Sequence, residues 1–276
     1  MKRRFDQLDV FSAQPLKGNP LAVVHGADGL DEATMAAFAR WTNLSETTFL
    51  LPPDDPAADY RVRIFTPFAE LPFAGHPTLG SAWAWLAAGG RPRESGSVVQ
   101  QCGVGLVRLR RDGARLAFAA PPLRRSGPLE ETLLARIARG LGVPAGGILH
   151  HQWVDNGPGW CAVMLGSGAA VRALQPDWAL LKDLKLGIVG AQRDGEDTAF
   201  EVRALVGPGG FEDPVTGSLN ASLAQWMIGA GLAPSSYVAA QGHALQRAGR
   251  VHVHAEAGTV WVGGDVAACI GGEVDL

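Results

Sequence analysis

Two short stretches hold residue types that could do chemistry at helix starts. In "FAELPFAGHPTLGSAW", Phe68 to Trp83, the order is Gly75, His76, Pro77 and then an apolar Ala/Trp-rich run. In "FEDPVTGSLNASLAQW", Phe211 to Trp226, Asp213 and Pro214 precede Gly217, Ser218 and a second such run. Proline is favoured in the first turn of a helix, so the spacing predicts His76 and Asp213 at N-cap positions. The first N–H groups of a helix have no partner within it and point out at the positive end of its dipole. Gly75 and Gly217 let a ligand approach that backbone closely. Such an end suits a carboxylate or phosphate, and two of them facing one cleft would hold a small anion from both sides. On the local pattern alone Asp213 is a plain helix cap first and a ligand second. His76, an uncommon N-cap, reads either way.

The elements that must position these residues follow from periodicity. "DEATMAAFARWTN" reads as a helix with Met35, Phe38, Ala39 and Thr42 on one face, started by Asp31 and ended by Asn43. "PLAVVHG", "ETTFLLPP" and "YRVRIFTP" read as strands. "GVGLVRLRRDGARLAFAAPP" reads as a hairpin turning at Arg111-Asp112-Gly113, and "RVHVHAEAGTVWVGG" as a second, terminal hairpin. "GWCAVML" and "AFEVRALV" supply strands to the second half, and residues 121–128, "PPLRRSGP", read as a connection. Strands interleaved with few helices through tight turns predict an α+β chain with antiparallel or mixed sheets. Pro77-Thr78-Leu79-Gly80-Ser81 and Pro214-Val215-Thr216-Gly217-Ser218 share Pro-x-x-Gly-Ser at an offset of 137 residues. An echo at half the chain length points to two similar domains.

Bulk properties exclude several classes. The 276 residues, 47% apolar and 18% charged, suffice for one large or two moderate globular domains. A net charge of −3 gives no basic surface for nucleic acid or anionic membranes. No run approaches the length of a membrane span, and the basic "MKRRFDQLDVF" lacks the apolar stretch of a signal peptide, so the default location is cytoplasmic. Cys102, Cys161 and Cys269 are odd in number and far apart, which predicts neither disulfides nor a zinc site. His252 and His254 share a strand face with Glu256 following, and a strand face explains them better than a metal. His150-His151 is weaker still. No dinucleotide fingerprint or phosphate loop occurs, so no nucleotide is expected. Trp83 and Trp85 read as packing residues.

"GNPLAVV", "NLSETTFL", "FTPFAELPFAGHPTLGSAW", "GPGGFEDPVTGSL" and "QGHALQRAGRV" occur in this order from residue 18 to residue 251. Together they resemble the PhzF-like phenazine-biosynthesis family, within the diaminopimelate-epimerase fold. The resemblance implies two similar domains, each a curved mixed or antiparallel sheet around a central helix, with the active site in the interdomain cleft and no cofactor. It places the domains at residues 1–119 and 120–276, the last ten or so residues being able to return to the first. It implies catalytic roles for Glu46 in "NLSETTF", for His76 and for Asp213, and substrate binding by Ser218 with the Gly75 and Gly217 backbone. Family members commonly pair, which implies a homodimer. The family's best-known reaction isomerises a dihydro-hydroxyanthranilate: a proton leaves one ring carbon and returns to another.

The residues sharpen that implication. Cysteine-dependent racemases of the same fold carry a thiol at each helix start, whereas this chain has Ala74 and Gly75 at one and Val215 at the other. Two-thiol epimerisation is therefore disfavoured, and carboxylate chemistry centred on Glu46 remains. An ordinary glutamate, near pKa 4.3, is a weak base for a carbon acid, so apolar surroundings are needed to strengthen it. Without the resemblance, Glu46 reads as a surface carboxylate. The leading expectation is a cofactor-independent isomerase of a small amino or hydroxy carboxylate. A racemase or epimerase is one alternative, and a carboxylate-binding protein without turnover is the other. Glu70 is expected to brace the loop before His76 through hydrogen bonds.

Overall fold

The opening segment, exposed at its basic start and buried from Leu8 to Val10, forms strand β1 (Lys2–Val10) through its pairing with other strands. It is followed by β2 (Asn19–Val24), α1 (Glu32–Thr42), β3 (Glu46–Leu51), β4 (Tyr60–Phe65) and the short β5 (Glu70–Leu71). Then come α2 (Gly75–Ala87), β6 (Ser97–Cys102), β7 (Gly105–Asp112) and β8 (Arg115–Ala119). The structure is a computed structural model describing residues 1–113 and 115–276, with only the backbone of Ala145 described. Ala114, within the hairpin read around Arg111-Asp112-Gly113, lies outside the described residues.

The second half contains α3 (Glu131–Leu141), β9 (Ile148–Trp153), β10 (Trp160–Leu165), α4 (Gly168–Ala173), α5 (Trp178–Leu181) and β11 (Lys185–Ala191). It continues with β12 (Phe200–Val206), β13 (Phe211–Asp213), α6 (Gly217–Gly229), β14 (Ser236–Gln241) and β15 (Gly249–Glu256). The chain closes with β16 (Thr259–Gly264) and β17 (Val266–Asp275). It divides into two compact units, residues 1–119 with 263–276, and residues 120–262.

In the first unit β1 lies between β17 and β2, antiparallel to both. Beyond β2 the sheet runs β3 (parallel), β4 (antiparallel), β6 (parallel to β4), β7 and β8, with β5 folded back on the end of β4. Helix α2 packs against β1, β2, β3, β4, β6, β8 and β17, so the sheet curves around it. That explains its composition: most of its thirteen residues are buried, with no acidic residue in the first turn and no basic residue in the last. Gly80 is required there, since a Cβ would come within 2.4 Å of the Leu21 side chain. Trp85 stacks on Tyr60 at 5.4 Å, which accounts for one of the two helix tryptophans by packing. A smaller core under α1 joins Met35, Phe38 and Ala39 to Phe49 and Phe65. Asp31 accepts from the Thr34 N–H at the start of α1, and Asn43 ends it in the left-handed region at φ 54°.

The second unit repeats this ladder. β9 is antiparallel to β10, β10 parallel to β11, and β11 antiparallel to β12. β12 carries the short antiparallel β13 and lies parallel to β14, which turns into β15. Each relation matches its counterpart among β1 to β7, with α4 in the place of α1 and α6 in the place of α2. Both central helices have thirteen residues. Their first residues are Gly75 and Gly217, so the structural repeat has an offset of 142 residues, not 137. The Pro-x-x-Gly-Ser echo aligns Gly80, inside α2, with Gly217, the first residue of α6. Among the described residues no helix is long and apolar enough to cross a membrane.

Candidate functional site

In the first unit the sequence brings Glu46 to His76 through strand β2. The left-handed turn at Asn43 reverses the chain so that β3 starts at Glu46, and parallel pairing puts Glu46 in register with Leu21. Thr48 fixes β3 further by donating to the Ala22 carbonyl at 3.3 Å and accepting from Ser81 of α2 at 3.0 Å. One residue back, the Pro20 carbonyl takes a hydrogen bond from the His76 ring. Its Nε2 has no hydrogen-bond partner, so Nδ1 is the donor. Nε2 lies 3.4 Å from Oε2 of Glu46, with only 6% and 15% of the two side chains exposed.

At that distance the pair could be ionic, but burial dominates and pushes the His76 imidazole down to about 3, against the smaller upward pull of the Pro20 carbonyl. The ring is therefore neutral at physiological pH. Its tautomer is set by Pro20, and an Nε2 lone pair faces the Glu46 carboxyl group.

His76 is not the N-cap of α2. Ala74 holds that place, and the Thr78 N–H already bonds the Ala74 carbonyl at 3.1 Å. Pro77 is thus the third helical residue, where a missing N–H leaves no intrahelical bond unmade. This shifts His76 one turn-step into the helix and aims it at β2 and β3.

Asp213 is not an N-cap either. It ends β13, paired with Ala204. The following proline disfavours helical backbone at Asp213, so α6 starts only at Gly217 with Thr216 as N-cap. The Thr216 hydroxyl donates to Oδ2 of Asp213 in a short hydrogen bond. Ser218 is partly buried; its hydroxyl accepts from the Trp160 indole N–H at 3.0 Å and its carbonyl from the Asn156 amide at 2.9 Å. The second unit thus gathers Asp213, Gly217 and Ser218 at the start of α6, and the first gathers Glu46 with Gly75 and His76 at the start of α2.

A buried amide supports each helix start. Gln100 donates to the Thr78 hydroxyl at 3.0 Å and accepts from Tyr60 at 2.8 Å. Its counterpart Gln241 accepts from the Thr216 N–H and the Asn220 amide, and donates to the Asp213 carbonyl and the Thr216 hydroxyl. Sequence reasoning gave these residues no role. The available signal was glutamine in otherwise apolar strands, Gln100 beside Gln101 in "SVVQQC" and Gln241 alone in "SYVAAQ".

The hairpin before each helix is closed by an arginine fork. Arg63 grips Glu70 through Nε and Nη2 at 2.7 and 2.6 Å, and Nη2 also reaches Glu32 at 2.8 Å. Arg203 grips Glu212 in the same manner, at 3.0 and 2.7 Å. The second fork is buried, with side-chain exposures of 6% and 5%, and Arg203 also donates to the Leu174 carbonyl. Glu212→Ala leaves that guanidinium charged, buried and uncompensated, an expected loss of about 3–5 kcal/mol. Glu70→Ala, at a fork open to water and still served by Glu32, is expected to lose about 1 kcal/mol or less. Urea denaturation of the two variants checks this, and equal losses would contradict the contrast.

All three cysteines are free. Burial pushes the Cys161 thiol up to about 12 and raises that of Cys102 as well. Neither favours a thiolate, and the three lie on β10, β6 and β17, outside both helix starts. Among the described residues, no three His, Cys, Asp or Glu side chains form a group able to hold a metal ion.

Comparison with known proteins fits this arrangement. The phenazine biosynthesis-like protein family (PhzC-PhzF) matches residues 8–272. Antisense-enhancing sequence 1 of Schizosaccharomyces pombe is 33% identical, over 98% of this chain and 97% of its own length. A trans-2,3-dihydro-3-hydroxyanthranilate isomerase of Pseudomonas aeruginosa is 36% identical over 80% of this chain and 78% of its own. The solved structure of a predicted epimerase from Pseudomonas aeruginosa superposes over 99% of both chains, with a TM-score of 0.80 and 30% identity. The two similar units, each a mixed sheet around one central helix, are those of the diaminopimelate-epimerase-like fold. The chain belongs to the phenazine biosynthesis-like PhzC-PhzF family and is an isomerase.

Proposed function

We propose that the chain moves a proton between two carbons of a small cyclic amino or hydroxy carboxylate, using Glu46 as acid and base and no cofactor. One observation carries this reading: the Glu46 carboxyl group, largely withdrawn from water, faces the lone pair of a neutral His76 at 3.4 Å. As a carboxylate, Glu46 takes a proton from the carbon acid, and the electron pair passes into the substrate's conjugated system. The resulting carboxylic acid hydrogen-bonds to Nε2 of His76, which cannot compete as a donor because its one N–H is spent on Pro20. Glu46 then returns the proton to a different carbon and the double bonds relocate. A buried imidazole this hard to protonate steadies the acid form without removing its proton for good.

Gly75, Gly217 and Ser218 are the binding residues in this reading, with free N–H groups at the helix starts suited to the substrate carboxylate. Asp213, held by Thr216, orients the substrate's amine or hydroxyl. The dihydro-hydroxyanthranilate isomerase among the relatives makes that compound the first substrate to try.

The test is incubation of the chain in heavy water with trans-2,3-dihydro-3-hydroxyanthranilate and related cyclic amino acids. Mass spectrometry of the recovered compounds is expected to show solvent deuterium at carbon and a product of unchanged formula. Tight binding in calorimetry with no deuterium gained by any compound would make the chain a binding protein and overturn the reading.

A further inference from the structure

The segment "QGHALQRAGRV" takes no part in the chemistry above beyond the support given by Gln241. It nevertheless walls a cavity of about 160 Å³ in the second unit, contributing Gln241, His243, Arg247 and Arg250. The turn that brings them there depends on Gly242. At φ +98° it lies where side chains are disfavoured, and a Cβ would come within 2.7 Å of both the Pro214 carbonyl and the Arg247 side chain.

Arg172, Gln192 and Glu201 also line the cavity. Glu201 is only 2% exposed. Its Oε2 is fully engaged, by Arg172 at 3.2 Å and Gln192 at 3.1 Å. Its Oε1 is buried and has no hydrogen-bond partner. The geometry around it is closely fitted: a Cβ on Gly168 would come within 2.3 Å of the Gln192 amide oxygen and 3.1 Å of the Glu201 Cβ. A purely structural partner for Arg172 and Gln192 needs one acceptor oxygen. The second is a strong acceptor with nothing to accept from.

Burial raises the Glu201 pKa, and the hydrogen-bonded Arg172 guanidinium is the main group opposing that rise. The lining thus sets the buried Glu201 carboxyl group among Arg172, Arg247 and Arg250, with Glu196 and Asp197 also on it. Arg250 is occupied there with Asp197 at 2.9 Å. At about 30 Å³ per water, the volume corresponds to roughly five waters, or one small organic molecule.

We propose that this cavity is a second small-molecule site, for a free α-amino acid with a short side chain. The Glu201 Oε1 accepts from its ammonium group, and Arg247 and His243 hold its carboxylate. Gln241 is the wall shared with the start of α6, so a bound ligand abuts the amide that holds Asp213 and Thr216 in place.

Isothermal titration of the purified full chain with glycine, L-alanine and L-serine tests this, with acetate and methylamine as half-ligands. At least one amino acid is expected to bind saturably, one per chain, with neither half-ligand matching it. E201Q and R247A are each expected to weaken binding at least tenfold, and S218A, at a residue assigned to hold the carboxylate in the main site, to leave it unchanged. R247A changes a rim residue and serves if E201Q fails to fold. The proposal is overturned if none of the three amino acids gives saturable heat into the tens of millimolar. Affinity unchanged in the folded E201Q and R247A variants overturns it as well, and so does loss of binding in S218A, which would place the ligand at the other site.

Discussion

Glu46→Gln is expected to lower proton exchange at the substrate carbon, and kcat with it, by about 10²–10⁴-fold, the usual contribution of a positioned general base. Substrate affinity is expected to stay close to that of the unsubstituted chain, because the residues assigned to bind the carboxylate are untouched. An interaction made only in the transition state shows this split between kcat and KM. The substitution is informative because it preserves so much else. Glutamine has the shape of glutamate, and β3 is held by backbone pairing with Leu21 rather than by the side chain at position 46. The glutamine amide can also donate to the open Nε2 of His76, so the pairing of the two side chains survives. What is lost is the ability to take and return a proton. Deuterium uptake in heavy water, followed by mass spectrometry, measures it directly. Exchange at the original rate would remove Glu46 from the reaction and leave the family assignment intact.

Much of this was legible in the sequence, for local reasons. Helix α1 announces itself because Asp31, the apolar face and Asn43 all lie within thirteen residues and act through neighbours. The β6 to β8 strands are readable for the same reason. Strand β1 is not: it depends on β17, with Lys2 facing Asp275, and nothing near Lys2 encodes that pairing. The helix starts were misplaced by a few residues because proline is tolerated throughout the first turn, so its position brackets a start without fixing it. The same imprecision gave the repeat the wrong offset.

The duplicated arginine forks show a different limit. Arg63 and Glu70 are seven residues apart, whereas Arg203 and Glu212 are nine apart. A fixed-offset comparison therefore misses a relation that the two hairpins preserve in space. At the candidate site, the nearness of Glu46 to His76 follows from ordered motifs typical of the family. The neutrality of His76 does not, since it depends on burial and on one carbonyl, that of Pro20, which no side-chain pattern reveals. Gln100 and Gln241 were invisible for a related reason: a buried amide is meaningful only once its partners are known.

The neutrality of His76 has a measurable consequence for stability. Its folded pKa, about 3, lies well below the ordinary 6.5. Between those values the unfolded chain binds a proton that the folded chain refuses, so stability rises with pH across the window and is lost as pH falls from 6.5 towards 3. Each pH unit in that window costs about 1.4 kcal/mol, so acidification from pH 6.5 to pH 4.5 removes roughly 2.7 kcal/mol through this residue and the full window on the order of 5 kcal/mol. His25 is also held down by burial and adds a loss of the same sign, so the slope of the unsubstituted chain does not isolate His76. The comparison with His76→Asn does. The stability difference between the two chains, from urea denaturation at pH 4.5 and pH 7, is expected to shift against the unsubstituted chain by about 2–3 kcal/mol at the lower pH. Glu46 faces the ring, so a change in its own protonation could contribute. Repeating the pair in a Glu46→Gln background removes that contribution, and the shift is expected to persist. A pH-independent difference in that background would mean that His76 titrates normally, and the neutral lone pair on which the proposed proton transfer leans would be gone.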